Sequence, residues 1–74
     1  MILSNAMSGR FFYVVELGLP NEISRRLEAL GMIKGSLVKV LRKKKRGAMI
    51  ITVRGTRFAL GLSIAEHILV KEAV

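Results

Sequence analysis

LVKVLRKKKRGAMIITVRGTRFAL, residues 37–60, is the stretch whose reading decides the fold. Leu37-Val38-Lys39-Val40-Leu41 and Ala48-Met49-Ile50-Ile51-Thr52-Val53 are aliphatic, β-branched runs of strand length. Between them stands Arg42-Lys43-Lys44-Lys45-Arg46-Gly47, consecutive cations ending on a glycine, which is turn chemistry for a hairpin tip. Gly55-Thr56 predicts a second tight connection into a short strand, Arg57-Phe58-Ala59-Leu60. Three antiparallel strands joined in sequence make a meander.

Toward the N-terminus, Arg10 to Leu17 reads RFFYVVEL, with Phe11, Tyr13 and Val15 on one face and Phe12 and Val14 on the other. Apolar residues on both faces predict a first strand that is largely buried. After Leu19-Pro20 the period changes. Asn21 is placed to cap a helix in which Ile23, Leu27 and Leu30 form an inward stripe, and Gly31 ends it as a left-handed residue. The outer face of that helix carries Glu22, Arg25, Arg26 and Glu28.

Toward the C-terminus, Ser63-Ile64-Ala65-Glu66 has the spacing of a capping box, which predicts one helical turn before a last strand, Ile68-Leu69-Val70-Lys71. The sum is a mainly β fold: a small SH3-like barrel of about five antiparallel strands, with one α-helix between the first two and a short helical turn before the last. An OB-type barrel is the second choice. Closing or nearly closing the sheet removes its edges.

A chain of 74 residues has room for one domain, 1–74, and too little core for a large internal substrate cavity. With 51% hydrophobic residues it is too apolar for a disordered tail, yet its apolar runs are too short to span a membrane. The absence of cysteine excludes a disulfide framework and thiolate metal sites, and no signal peptide is visible, so a cytoplasmic location is the expectation. The opening MILSNAMSG contains Ser4-Asn5-Ala6, which also matches the remnant of a cleaved expression tag. Thirteen Lys and Arg against five Glu give a net charge of +8, which calls for an acidic partner.

The inventory for catalysis is thin. A single His, no Cys and no Asp leave no nucleophile with a base beside it, so the chain reads as a binding domain and not an enzyme. No phosphate-cradling glycine motif appears, and no cofactor or small-molecule substrate is expected. His67 with Glu66 offers two metal ligands at most, short of a zinc site's three or four. Met32 and Met49 are the chemistry of core filling. The candidate partner contacts are the cations expected at the surface: Arg25 and Arg26 on the helix, Arg42, Lys43 and Lys44 in the basic run, and Arg54 and Arg57 about the second turn. The same residues suit phosphates, which makes a basic nucleic-acid-binding barrel the alternative. Phe11, Phe12, Tyr13 and Phe58 are expected in the core, which leaves that alternative without stacking platforms.

Leu27-x-x-Leu30-Gly31-Met32-x-x-Gly35, then Val53-Arg54-Gly55 and Phe58-Ala59-Leu60, then Ala65-x-x-Ile68-x-Val70, resembles the FeoA family of bacterial ferrous-iron uptake. Leu3-Ser4 and Gly9 fit that family's short opening turn, so the resemblance covers nearly the whole chain and favours a native opening segment. It implies an SH3-like barrel in the cytoplasm and a regulatory role beside the FeoB transporter, which carries a cytoplasmic GTP-binding domain. A related module ends the iron-dependent repressors, but the helix-turn-helix of a repressor has no room here. Lys43-Lys44-Lys45-Arg46 departs from the family, which commonly has a shorter, less basic segment there. A ferrous-iron carrier is a third reading, and stoichiometric metal binding is not expected.

Overall fold

The structure, a computed structural model, describes residues 1–44 and 47–73. A 3-10 turn at Leu3–Asn5 leads to β1 (Phe11–Leu17), α1 (Asn21–Ala29), β2 (Leu37–Lys44), β3 (Ala48–Val53), β4 (Thr56–Gly61), α2 (Leu62–Ala65) and β5 (Ile68–Glu72). All neighbouring strands pair antiparallel in one five-stranded sheet of order β4-β3-β2-β1-β5. The expected meander is β2-β3-β4, and β3 has the bounds read from the sequence.

The alternation of β3 shows how the sheet wraps a core. Met49, Ile51 and Val53 are fully buried, and opposite them Val38 and Val40 of β2 and Leu60 of β4 face the same interior. Phe12 and Val14 of β1, Ile68 and Val70 of β5, and Ala65 of α2 complete it. The edge of β5 does not stay bare. The Val70 N–H donates to the Met1 carbonyl and Ile2 pairs with Leu69, while Leu3 and Ala6 are fully buried. The opening segment is part of the core and covers a strand edge.

Two bulges interrupt the ladders. Val14 faces Val70 but Glu16 faces Leu69, so Val15 is the extra residue of β1. Val40 faces Ile51 but Arg42 faces Ile50, so Leu41 is the extra residue of β2. In an unbroken strand Arg42 would share the inward face of Val38 and Val40. The inserted residue turns it outward instead.

Helix α1 ends in a Schellman arrangement: the Gly31 N–H donates to the Glu28 carbonyl and the Met32 N–H to the Leu27 carbonyl. Gly31 has φ +98°, as the sequence anticipates, and Met32 and Leu27 supply the buried apolar contact of the motif. Buried Ser36 then fixes the connection to β2. Its Oγ accepts from the Ile33 N–H at 2.9 Å and donates to the Gly31 carbonyl at 2.8 Å.

Several local expectations are corrected. Pro20, not Asn21, holds the N-cap position of α1, where no side chain caps the backbone, and Ser24 Oγ donates to the Leu19 carbonyl. Leu30 is the C-cap and exposed, because the helix ends before it can turn inward. Ser63 lies inside α2 with Gly61 as N-cap, so the expected capping box does not form. Arg42, Lys43 and Lys44 belong to β2, paired with Ile50, Met49 and Ala48, not to the turn; Lys45 and Arg46 lie outside the described residues. The second hairpin turns on Arg54-Gly55, not Gly55-Thr56, since Val53 pairs with Thr56. Arg54 at φ +52° and Gly55 at φ +79° give the doubly left-handed two-residue loop that matches strand twist. Finally, Phe11 and Tyr13 are exposed, so β1 buries one face and not both.

Candidate partner-binding site

Two of the seven candidate cations are brought together by strand register. Arg42 pairs with Ile50, Ile50 pairs with Ala59, and Arg57 next to Ala59's row pairs with Thr52. All of these stand on the outer face, because their neighbours Met49, Ile51 and Leu60 point into the core. An open hollow of about 550 Å³ results, lined by Leu41, Arg42, Ile50, Arg57, Phe58 and Ala59. The bulge at Leu41 bends β2 at this spot and places both Leu41 and Arg42 in the lining.

The hollow is lined by two arginines and four apolar residues, Phe58 among them, and no carboxylate lines it. Arg42 and Arg57 each carry rigid donor forks suited to a carboxylate or phosphate. A second hollow, about 490 Å³, has the opposite balance: Glu16 and Glu28 line it with Lys34, beside α1. The acidic and basic hollows are formed by different elements.

The other candidates go elsewhere. Lys43 Nζ donates to the Ser4 carbonyl at 2.7 Å, tying β2 to the opening turn. Lys44 is exposed opposite Ala48, near the strand end. Arg54 lies against Gly31 at the C-terminal end of α1. Arg25 and Arg26 are exposed on α1 and line neither hollow. Glu66 is the C-cap of α2 and His67 is exposed, its carbonyl accepting from the Gly18 N–H at 2.8 Å. Among the described residues no three His, Cys, Asp or Glu gather as a metal site.

Sequence reasoning missed two features. The exposed face of β1, with Phe11 paired to Lys39 and Tyr13 to Leu37, was expected in the core. The argument that this barrel has no exposed aromatics therefore falls. Ser36 was passed over as well, although a lone hydroxyl residue between Gly35 and a strand is a common clamp for loop backbone.

Fold and surface together define a small, mainly β domain of the SH3-like class, with a basic hollow on its outer sheet face. Among the described residues no helix is long and apolar enough to cross a membrane. The chain belongs to the FeoA domain family, whose model matches residues 1–72.

Solved structures agree. FeoA from Stenotrophomonas maltophilia, solved with zinc and described as a prokaryotic SH3 domain protein and a candidate activating factor for ferrous iron transport, is 32% identical. It superposes with a TM-score of 0.81 over 96% of this chain and 89% of its own. An iron uptake regulatory FeoA protein is 30% identical, TM-score 0.84, over 96% of this chain and 93% of its own. FeoA from Chlorobium tepidum is 28% identical, TM-score 0.94, covering all of this chain and 71% of that one. A manganese-dependent transcriptional repressor shares the fold at 19% identity, TM-score 0.88, over 41% of its own length. No curated protein sequence matches the chain.

Proposed function

We propose that this domain is a non-enzymatic accessory protein of ferrous-iron uptake that docks on the cytoplasmic side of a FeoB-type transporter through the Arg42–Arg57 hollow. The observation that carries the reading is the presence of two arginines in the lining of one apolar hollow that contains no carboxylate. An acidic side chain on a protruding loop of the partner would meet both guanidinium groups while its apolar neighbours cover Ile50 and Ala59. Family membership supplies the iron-transport context. The chain's net charge of +8 favours encounter with an acidic domain.

Capture of the transporter's soluble GTP-binding domain on immobilised protein tests this directly. Binding is expected at low salt and weakens as salt screens the contact. Replacing Arg42 or Arg57 by Gln lowers affinity about tenfold each, the size of a lost charge-assisted contact. Retained capture by the double variant would overturn the assignment of the hollow. Absence of any capture by the unaltered protein would overturn the partner.

A further inference from the structure

The outer face of β1 and β5, with the 37–39 end of β2, lies outside the docking hollow, and its composition is unusual for a solvated sheet. Phe11, Tyr13, Leu37 and Leu69 are 43%, 41%, 44% and 39% exposed. The strand register makes them neighbours: Phe11 lies opposite Lys39, Tyr13 lies between Leu37 and Lys71, and Leu69 follows two residues before Lys71 on the same side of β5. Aromatic and aliphatic side chains are therefore interleaved with cations on one flank of the barrel. The Lys39 ammonium stands 5.4 Å from the centre of the Phe11 ring, so apolar surface and positive charge project to a similar height. Of the acids near this face, Glu72 is engaged by Arg10, and Glu16 stands at the far end opposite Leu69.

We propose that this face is a membrane-surface docking site for anionic lipid headgroups. Interfacial binding needs rings and aliphatic side chains that enter the headgroup boundary together with lysines that meet phosphate, and β1, β2 and β5 present both on one face. Single-stranded nucleic acid fits less well, because two of the four exposed apolar side chains, Leu37 and Leu69, offer no ring for a base to stack on. A second copy would bring Lys39 and Lys71 against the field of another chain of charge +8. The lipid face and the arginine hollow adjoin at β2, where Lys39 and Arg57 both face Thr52, but the lipid face runs away from the hollow over β1 and β5 through Phe11, Tyr13, Leu69 and Lys71.

The test is co-sedimentation with phosphatidylcholine vesicles containing about a quarter phosphatidylglycerol, compared with pure phosphatidylcholine vesicles. The protein partitions to the anionic vesicles at low salt and stays in solution with the neutral ones. Lys39→Gln with Lys71→Gln weakens partitioning about 25-fold, about fivefold for each lysine near the surface. Tyr13→Ser, at an exposed position, also weakens it. Arg42→Gln with Arg57→Gln weakens it less than the lysine pair does, since Arg57 stands two strands from Lys39, about 10 Å away or roughly one Debye length. The chain has no tryptophan, so Phe11→Trp introduces a unique reporter whose emission shifts blue on the anionic vesicles. Protein that remains in solution, partitioning lost with Arg42 and Arg57 but not with Lys39 and Lys71, or an unshifted Trp signal overturns the proposal. So does displacement from vesicles by a single-stranded oligonucleotide that quenches the same reporter, or self-association through Tyr13.

Discussion

Arg54 lays its aliphatic stem over Gly31: a Cβ added to the glycine would stand 3.0 Å from the Arg54 Cδ and 3.5 Å from its Cγ. Two causes therefore demand glycine, the close stem and the left-handed φ of +98°. They differ in size. The stem is flexible and can yield, whereas a side chain at this φ costs about 1–2 kcal/mol. Gly31→Ala should destabilise by about that much in denaturant unfolding. Combining it with Arg54→Ala should recover no more than about 0.5 kcal/mol. A larger coupling would make the contact, not the backbone, the reason for the glycine.

Arg54 itself occupies a position that favours another residue. At φ +52° beside Gly55 it stands where two-residue hairpins prefer Asn. Asn adopts this conformation more readily than Arg, by about 0.5–1 kcal/mol, while the stem's packing on Gly31 is a surface contact of a few tenths. The turn should win. Arg54→Asn is expected to raise the melting temperature by about 2–4 °C, the shift that about 0.5 kcal/mol produces in a domain of this size. Transporter-domain capture should be unchanged, because Arg54 does not line the arginine hollow.

Ser36 joins two backbone groups that would otherwise lose their partners, the Ile33 N–H and the Gly31 carbonyl. Removing the hydroxyl strands both in a partly buried loop, at about 1–3 kcal/mol. Ser36→Ala should thus cost about as much as Gly31→Ala although the hydroxyl it removes bonds no strand residue. Amide exchange at Ile33 should accelerate more than at Phe12 in β1, since the opening is local. Uniform acceleration across the sheet would show that the loop and barrel unfold as one unit.

These residues also show what can be read from one dimension. Ala48–Val53 and the Gly31 helix end were legible because each depends on local chemistry, strand periodicity in one case and a left-handed stop in the other. The buried face of β1 was not. Phe11, Tyr13 and Val15 look as apolar as Phe12 and Val14, and periodicity gives two faces without saying which is inside. Ser63-x-x-Glu66 matches a capping pattern, but Gly61 already holds the extended N-cap backbone one residue ahead of α2. The candidate site was legible as residue types and not as a constellation. Arg42 and Arg57 meet through two successive hairpin registers and a bulge, and none of these is encoded by spacing alone.

The Leu41 bulge gives that point a direct experiment. Leu41 and Arg42 together oppose Ile50, so deleting Leu41 leaves a regular ladder with Arg42 still opposite Ile50 and Lys43 still opposite Met49. The inward residues Val38, Val40, Met49 and Ile51 keep their pairing, and the deletion removes only a half-buried side chain. Stability should fall by no more than about 1 kcal/mol, well short of the cost of emptying a buried leucine site. The hollow should respond far more. Without the bulge β2 straightens, Leu41 leaves the lining, and the guanidinium of Arg42 changes its aim relative to Arg57. Cross-strand NMR contacts between Lys43 and Met49 should therefore persist while capture of the transporter domain weakens about as much as in Arg42→Gln. Undiminished capture by the deletion variant would mean that the two arginines act as separate charges and that the shape of the hollow between them is irrelevant to binding.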